Sequence, residues 1–224
     1  MLREIVLDTE TTGFEPSQGH RLVEIGCLEL INHIPTGRVF HTYINPEREV
    51  PKDAQAVHGL SYEFLKKHPF FKDVGSLFLD FIEDSSLVIH NANFDMKFIN
   101  SELRGHNWPE IPFSRAIDTL MIARKKFPGS PASLDALCKR FGVDNRKRDK
   151  HGALLDAELL AQVYLELLGG KQPGLSLHFS SKEKEEGREK TKEKPIRTPR
   201  VQLPPPEEQA LHEELMVQLK KSVG

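Results

Sequence analysis

The sequence predicts an α/β domain with a mixed sheet flanked by helices, and three observations carry that expectation. Apolar, β-branched segments follow one another near the N-terminus with turn residues between them. A strand-helix alternation then takes over, with apolar residues at helical spacing. The apolar pattern stops near Gly170, where a charged stretch poor in apolar residues begins.

EIVLDT, RLVEIGCLELI and RVFHTYIN read as three strands separated by Gly, Pro and Asn, an antiparallel meander. SYEFLKKHPFFKDVGSLFLDFIEDS carries Val74, Leu77, Phe78 and Phe81 on one helical face, and SLVIH after it is a short strand. NFDMKFINSELRG is helical. After a loop over 108–113 with two prolines, IDTLMIARKKF and SLDALCKRFGV are amphipathic helices punctuated by Pro128, Gly129 and Gly142. The last helix, ALLDAELLAQVYLELLGG, ends in a glycine pair.

The 224 residues, 38% of them hydrophobic, can bury one substantial core and still leave a tail. Three segments are expected: a folded domain over 1–170, a disordered linker over 171–200 and a short amphipathic helix within 201–224. Residues 180–200 hold eight Lys or Arg against five Glu, so the net charge of −2 leaves the rest of the chain at −5. Long non-specific contact with duplex nucleic acid is therefore not the expected work of the folded part, and phosphate binding there needs metal ions. The N-terminus lacks a signal-peptide pattern and no apolar run approaches the roughly 18 residues of a membrane span, which predicts a soluble cytoplasmic protein. Cys27 and Cys138 sit in apolar surroundings and read as reduced, buried thiols.

In VLDTETTGF the acids Asp8 and Glu10 lie two apart near a strand's end and so point to one side. Two carboxylates held together repel unless a cation lies between them; alone, they also fit a solvated strand end. Asp95 follows a strand and enters a helix, at the sheet edge where α/β sites gather, although helix N-terminal acids are common. Asp156 stands in the apolar ALLDAELL, where an unpaired acid facing the core is costly. His151 lies five residues before it, about 140° away on one helix, and so belongs to the entering loop.

DxE on a strand, Asp after a later strand and HxxxxD entering a late helix together resemble the DEDDh 3′–5′ exonucleases. Within that family the sequence is most similar to the proofreading ε subunits of bacterial DNA polymerase III, in LDTETTGF, RLVEIGCLEL, AVHGLS, LVIHNANFD, RKKFPGSPASLDALCKRFGV and HGALLDAELLAQVYL. The resemblance covers about three quarters of the chain. It implies a ribonuclease H-like fold with a five-stranded sheet and two divalent ions, Mg²⁺ or Mn²⁺, suited to hard carboxylate oxygens. By the same resemblance Asp8, Glu10 and Asp156 hold the ion beside the attacking water, Asp8 also reaches the second ion, and Asp95 acts largely through water. His151 is then the general base. Thr11, Asp53 and His58, together with the substrate side of Asp8, Glu10 and Asp156, take the 3′-terminal nucleotide; Asp53 is shorter than the family's Glu, and His58 read alone is a loop histidine.

Gln172, Leu175 and Leu177 form a Q-x-x-L-x-L resembling peptides that bind the sliding clamp, although these residues are common at domain ends. Leu211, Leu215 and Leu219, four apart, resemble the segment that docks on the polymerase α subunit, with acids early and lysines late to match the helix dipole. The expected partners are thus a single-stranded 3′ DNA end, the polymerase α subunit, the clamp and, left open, a small third core subunit; none is a membrane. An RNA-trimming or DNA-repair exonuclease of the same superfamily, and a non-catalytic tether in the polymerase assembly, are the alternative readings.

Overall fold

The computed structural model describes residues 1–146, 150–170 and His212. Chain order runs β1 (Arg3–Thr11), β2 (Leu22–Ile31), β3 (Ile34–Tyr43), α1 (Lys52–His58), α2 (Tyr62–Leu65), α3 (Phe71–Ile82), β4 (Ser86–Ile89), α4 (Ala92–Gly105), β5 (Ala116–Asp118), α5 (Thr119–Lys126), α6 (Leu134–Phe141) and α7 (Ala153–Leu168). The sheet order is β3-β2-β1-β4-β5. The meander pairs antiparallel, whereas β4 and β5 add to it in parallel, which makes the sheet mixed. Asn32 and His33 both take positive φ in the two-residue turn between β2 and β3, the geometry that matches strand twist in tight hairpins.

The central strand β1 is covered on both faces, and its alternation assigns each residue a side. Ile5 and Leu7 enter a core with Phe78 and Ile82 of α3 and Met96, Ile99 and Leu103 of α4. Val6 enters a second core with Leu137 of α6 and Leu160 and Val163 of α7. Glu4, on Val6's side, accepts a hydrogen bond from the Tyr164 hydroxyl of α7 at 2.8 Å and pairs with His33 at 2.7 Å. The even-numbered side of β1 thus faces α7, and the odd-numbered side faces α4.

Gly26 lets α7 approach the sheet. A Cβ at Gly26 would lie 2.3 Å from the backbone of Ala153 and Leu154, so the first turn of α7 rests directly on β2 beside Asp8, its register partner. At the start of β2, Arg21 grips Glu102 of α4 with two hydrogen bonds of 2.7 and 2.8 Å. Both cysteines are buried, as expected from their surroundings.

Two features differ from the pattern reading. The segment holding His58 is a helix, α1, and not a loop; its amphipathic signal is only two turns long. IDTL opens as a three-residue strand, β5, before it becomes helical, too short for a period of two to register. Gln172, Leu175, Leu177, Leu211, Leu215 and Leu219 lie outside the described residues. No helix among the described residues is long and apolar enough to cross a membrane.

Candidate active site

The last residues of β1, the loop entering α7 and the first turn of α7 converge at one end of the sheet. Ligand atoms of Glu10, His151 and Asp156 lie within 4.8 Å of one another. Glu10 and Asp156 are almost fully buried, at 8% and 2% exposure, whereas the His151 ring is half open to solvent. Its Nδ1 lies 3.3 Å from Oδ2 of Asp156. Asp8 shares a cavity of about 520 Å³ with His151 and Asp156. Its side of β1 explains this: residues 4, 6, 8 and 10 all face α7.

Backbone contacts with α1 place His151. Its N–H donates to the carbonyl of Val57 at 3.2 Å, and Lys150 Nζ donates to that of Ala56 at 2.7 Å. Both acceptors belong to the last turn of α1, where carbonyls lack helical partners. The histidine is therefore carried by main chain that a side-chain substitution leaves in place.

Asp95 belongs to the other layer. It sits in the first turn of α4, is 3% exposed, and accepts a 2.7 Å hydrogen bond from the hydroxyl of Thr9, an odd-numbered residue of β1. It is not among the three clustered donors. Burial pushes its carboxyl up to about 7, against the Thr9 hydrogen bond that favours ionisation. In metal-free protein this has a definite sign. Between the ordinary value of 3.8 and about 7, the folded state keeps a proton that the unfolded state has lost, so stability falls as pH rises through that window. Asp95→Asn, which can still accept from Thr9, is expected to unfold at a higher temperature than wild type at pH 8 in chelator and to lose this slope; an unchanged slope in a melting series from pH 4 to 8 would contradict it.

Glu10 also opens onto a second cavity of about 420 Å³, together with Thr11, Asp53 and His58 and the apolar Phe14, Val57 and Phe94. The Thr11 hydroxyl donates to the Gly13 carbonyl at 2.6 Å, fixing the turn after β1. His58 is buried, and burial lowers its pKa, so it is neutral near pH 7. Its Nδ1 accepts the N–H of Leu60 at 3.0 Å, which leaves the proton on Nε2.

Residue patterns alone did not single out His90, Asn91 and Asp118. Asn91 takes φ 65 at the N-cap of α4, a left-handed position that asparagine tolerates. Asp118 Oδ1 accepts from the N–H groups of both Asn91 (3.1 Å) and Leu120 (2.9 Å), joining the starts of α4 and α5. The signal in the sequence was the left-handed Asn in IHNANFD and the Asp-Thr helix start in IDTL.

The donor set fits a divalent cation: hard carboxylate oxygens, nearly buried and crowded with like charge. A ribonuclease H-like sheet bearing such acids at the ends of adjacent elements is a nuclease architecture, and the chain belongs to the Exonuclease family RNase_T, whose model matches residues 5–164. DNA polymerase III subunit epsilon of Rickettsia felis is 59% identical over 179 residues, 79% of this chain and 78% of that one. The protein of the same name from Salmonella typhimurium is 43% identical over 233 residues, 99% and 95% of the two chains. Within the family the chain belongs with these epsilon subunits. The solved nuclease domain of 3′hExo, described as a DEDDh family member bound to rAMP, superposes with a TM-score of 0.65 at 20% identity over 74% of this chain and 91% of its own, a likeness of fold.

Proposed function

We propose that the two cavities hold the two sides of a 3′-terminal phosphodiester, with Asp8, Glu10, Asp95 and Asp156 gathering divalent cations at the bond between them and His151 acting as general base. The chain is a proofreading 3′–5′ exonuclease of the DNA polymerase III epsilon type, which removes mismatched 3′ nucleotides as 5′-monophosphates. The observation that carries the site assignment is the convergence of Glu10, His151 and Asp156 within 4.8 Å, beside Asp8. When bound, two divalent ions, Mg²⁺ or Mn²⁺, supply Lewis acidity at the phosphodiester and offset the charge of the carboxylates.

The protein's own groups do the rest. The apolar wall of Phe14, Val57 and Phe94 receives the terminal base, and the His58 Nε2–H and the Thr11 main chain give it polar contacts. Asp53 lines the same wall, where it can accept a hydrogen bond. The His151 imidazole takes a proton from the attacking water, and its exposed edge then returns that proton to solvent. Only an unpaired end enters such a cavity, so mismatches are selected because they fray more readily.

In this reading, 171–200 is a flexible linker carrying a clamp-binding motif at Gln172, Leu175 and Leu177. Leu211, Leu215 and Leu219 then dock the segment 201–224 on the polymerase α subunit in a bacterial cytoplasm. Tethering raises the local concentration of the nuclease near the primer end. Removing 201–224 is expected to weaken polymerase affinity by about 10²-fold and to leave hydrolysis of free single strands intact, by titration and by a gel assay; equal affinity rules out the docking role.

The test of function offers a 3′-labelled mismatched DNA primer and a single-stranded RNA with Mg²⁺. Wild type is expected to shorten the DNA. Preference for RNA supports the RNA-trimming alternative, and hydrolysis of neither supports the tether.

A further inference from the structure

The carboxylate end of the sheet is hostile to a polyanion, and the folded part of the chain carries net negative charge. Around the catalytic acids lie two cavities. The described residues lining the one with Thr11 and His58 include no Lys or Arg. Those lining the other, with Asp8, His151 and Asp156, include one, Arg124 of α5.

Two other cations of α5 and α6 have structural partners. Lys126 donates to the Leu167 carbonyl at 2.8 Å, and the Arg140 guanidinium lies 4.3 Å from the centre of the Phe127 ring. Arg124 is exposed and makes no hydrogen bond or ion pair among the described residues. It is nonetheless close enough to His90 for its charge to help lower that imidazole's pKa, after the larger effect of burial. The Ser130 and Ser133 hydroxyls line the same wall. An unpaired guanidinium on the wall of an acid-bearing cavity is a fork aimed at phosphate oxygens.

We propose that Arg124 binds the phosphodiester one linkage upstream of the scissile one and so holds the outgoing strand. This deepens the exonuclease reading and rests on it. With the terminal nucleoside against Phe94 and His58 and the scissile bond at the acids, the remaining strand leaves by the other cavity. Its next phosphate then passes the wall that Arg124 occupies. Arg124 is a substrate-binding residue here, with no part in proton transfer.

The experiment compares wild type, Arg124→Gln and Arg124→Lys on three probes with Mn²⁺. They are a single-stranded thymidine oligonucleotide, the same strand with an uncharged methylphosphonate one linkage upstream of the scissile bond, and the p-nitrophenyl ester of thymidine 5′-monophosphate, which has no upstream phosphodiester. Arg124→Gln is expected to lower kcat/KM on the oligonucleotide about 10- to 30-fold, chiefly through KM, and to leave the ester unchanged. Its salt dependence on the oligonucleotide should flatten by about 0.7 in log-log slope, and Arg124→Lys should restore that slope. The methylphosphonate should cost wild type a similar factor and cost Arg124→Gln nothing more. Equal losses on the oligonucleotide and the ester, or a methylphosphonate penalty equal in both proteins, overturns the assignment while the exonuclease stands. If wild type cleaves neither the oligonucleotide nor the ester, the exonuclease reading and this assignment fall together.

Discussion

Asp8→Ala is expected to lower kcat by about 10³-fold or more, with the protein still folded. Cation-assisted displacement draws several kcal/mol from the charge gathered at the reacting phosphate, and about 4 kcal/mol corresponds to three powers of ten. Asp8 lies beside Asp156 in the cavity and is half-buried near the end of the central strand, so losing its side chain opens no hole in either core. The metal-free variant should melt no lower than wild type, because removing one of several crowded carboxylates relieves repulsion. A second measurement separates chemistry from folding. Mn²⁺ should raise the melting temperature of wild type, since a ligand that binds only the folded state stabilises it, and Asp8→Ala should lose most of that rise. Full activity in the variant, or an undiminished response to Mn²⁺, removes Asp8 from the cation site.

The sequence exposed this site unevenly, for reasons visible in β1. Alternation along IVLDTE is enough to put Asp8 and Glu10 on one side, and burial of Val6 among α7 leucines shows that this side faces Asp156. Spacing also placed His151 on the loop before α7, where the structure has it. What spacing could not supply is the opposite layer. Asp95 is tied to Thr9, on the other face of the strand, and no local pattern links residues 86 apart. Arg124 stayed hidden for a different reason. Its helix reads ARKK, an ordinary basic C-terminal turn that complements the helix dipole, and only the tertiary arrangement turns its first cation toward the cavity. The three-residue β5 and the two-turn α1 fell below the length at which periodicity separates helix from strand.

His151→Ala is expected to cost about 10² to 10⁴ in kcat, the range for a positioned general base. The geometry allows two roles, because His151 clusters with Glu10 and Asp156 in a set that could hold a cation through all three. Exposure argues for the base: the ring is half open while both carboxylates are buried, so it can exchange its proton with solvent. The two roles make different predictions about binding. As a base, His151 can be removed without loss of the melting-temperature rise produced by Mn²⁺, whereas Asp156→Ala should lose it; as a ligand, both variants should lose it. Structural collapse is not a competing explanation, since the loop is held by the His151 main chain and by Lys150, both intact in the variant. Chemical rescue supplies the last check: His151→Ala should recover rate on addition of free imidazole. Near-normal kcat in the variant at neutral pH, or no recovery with imidazole, would take the proton transfer away from this residue.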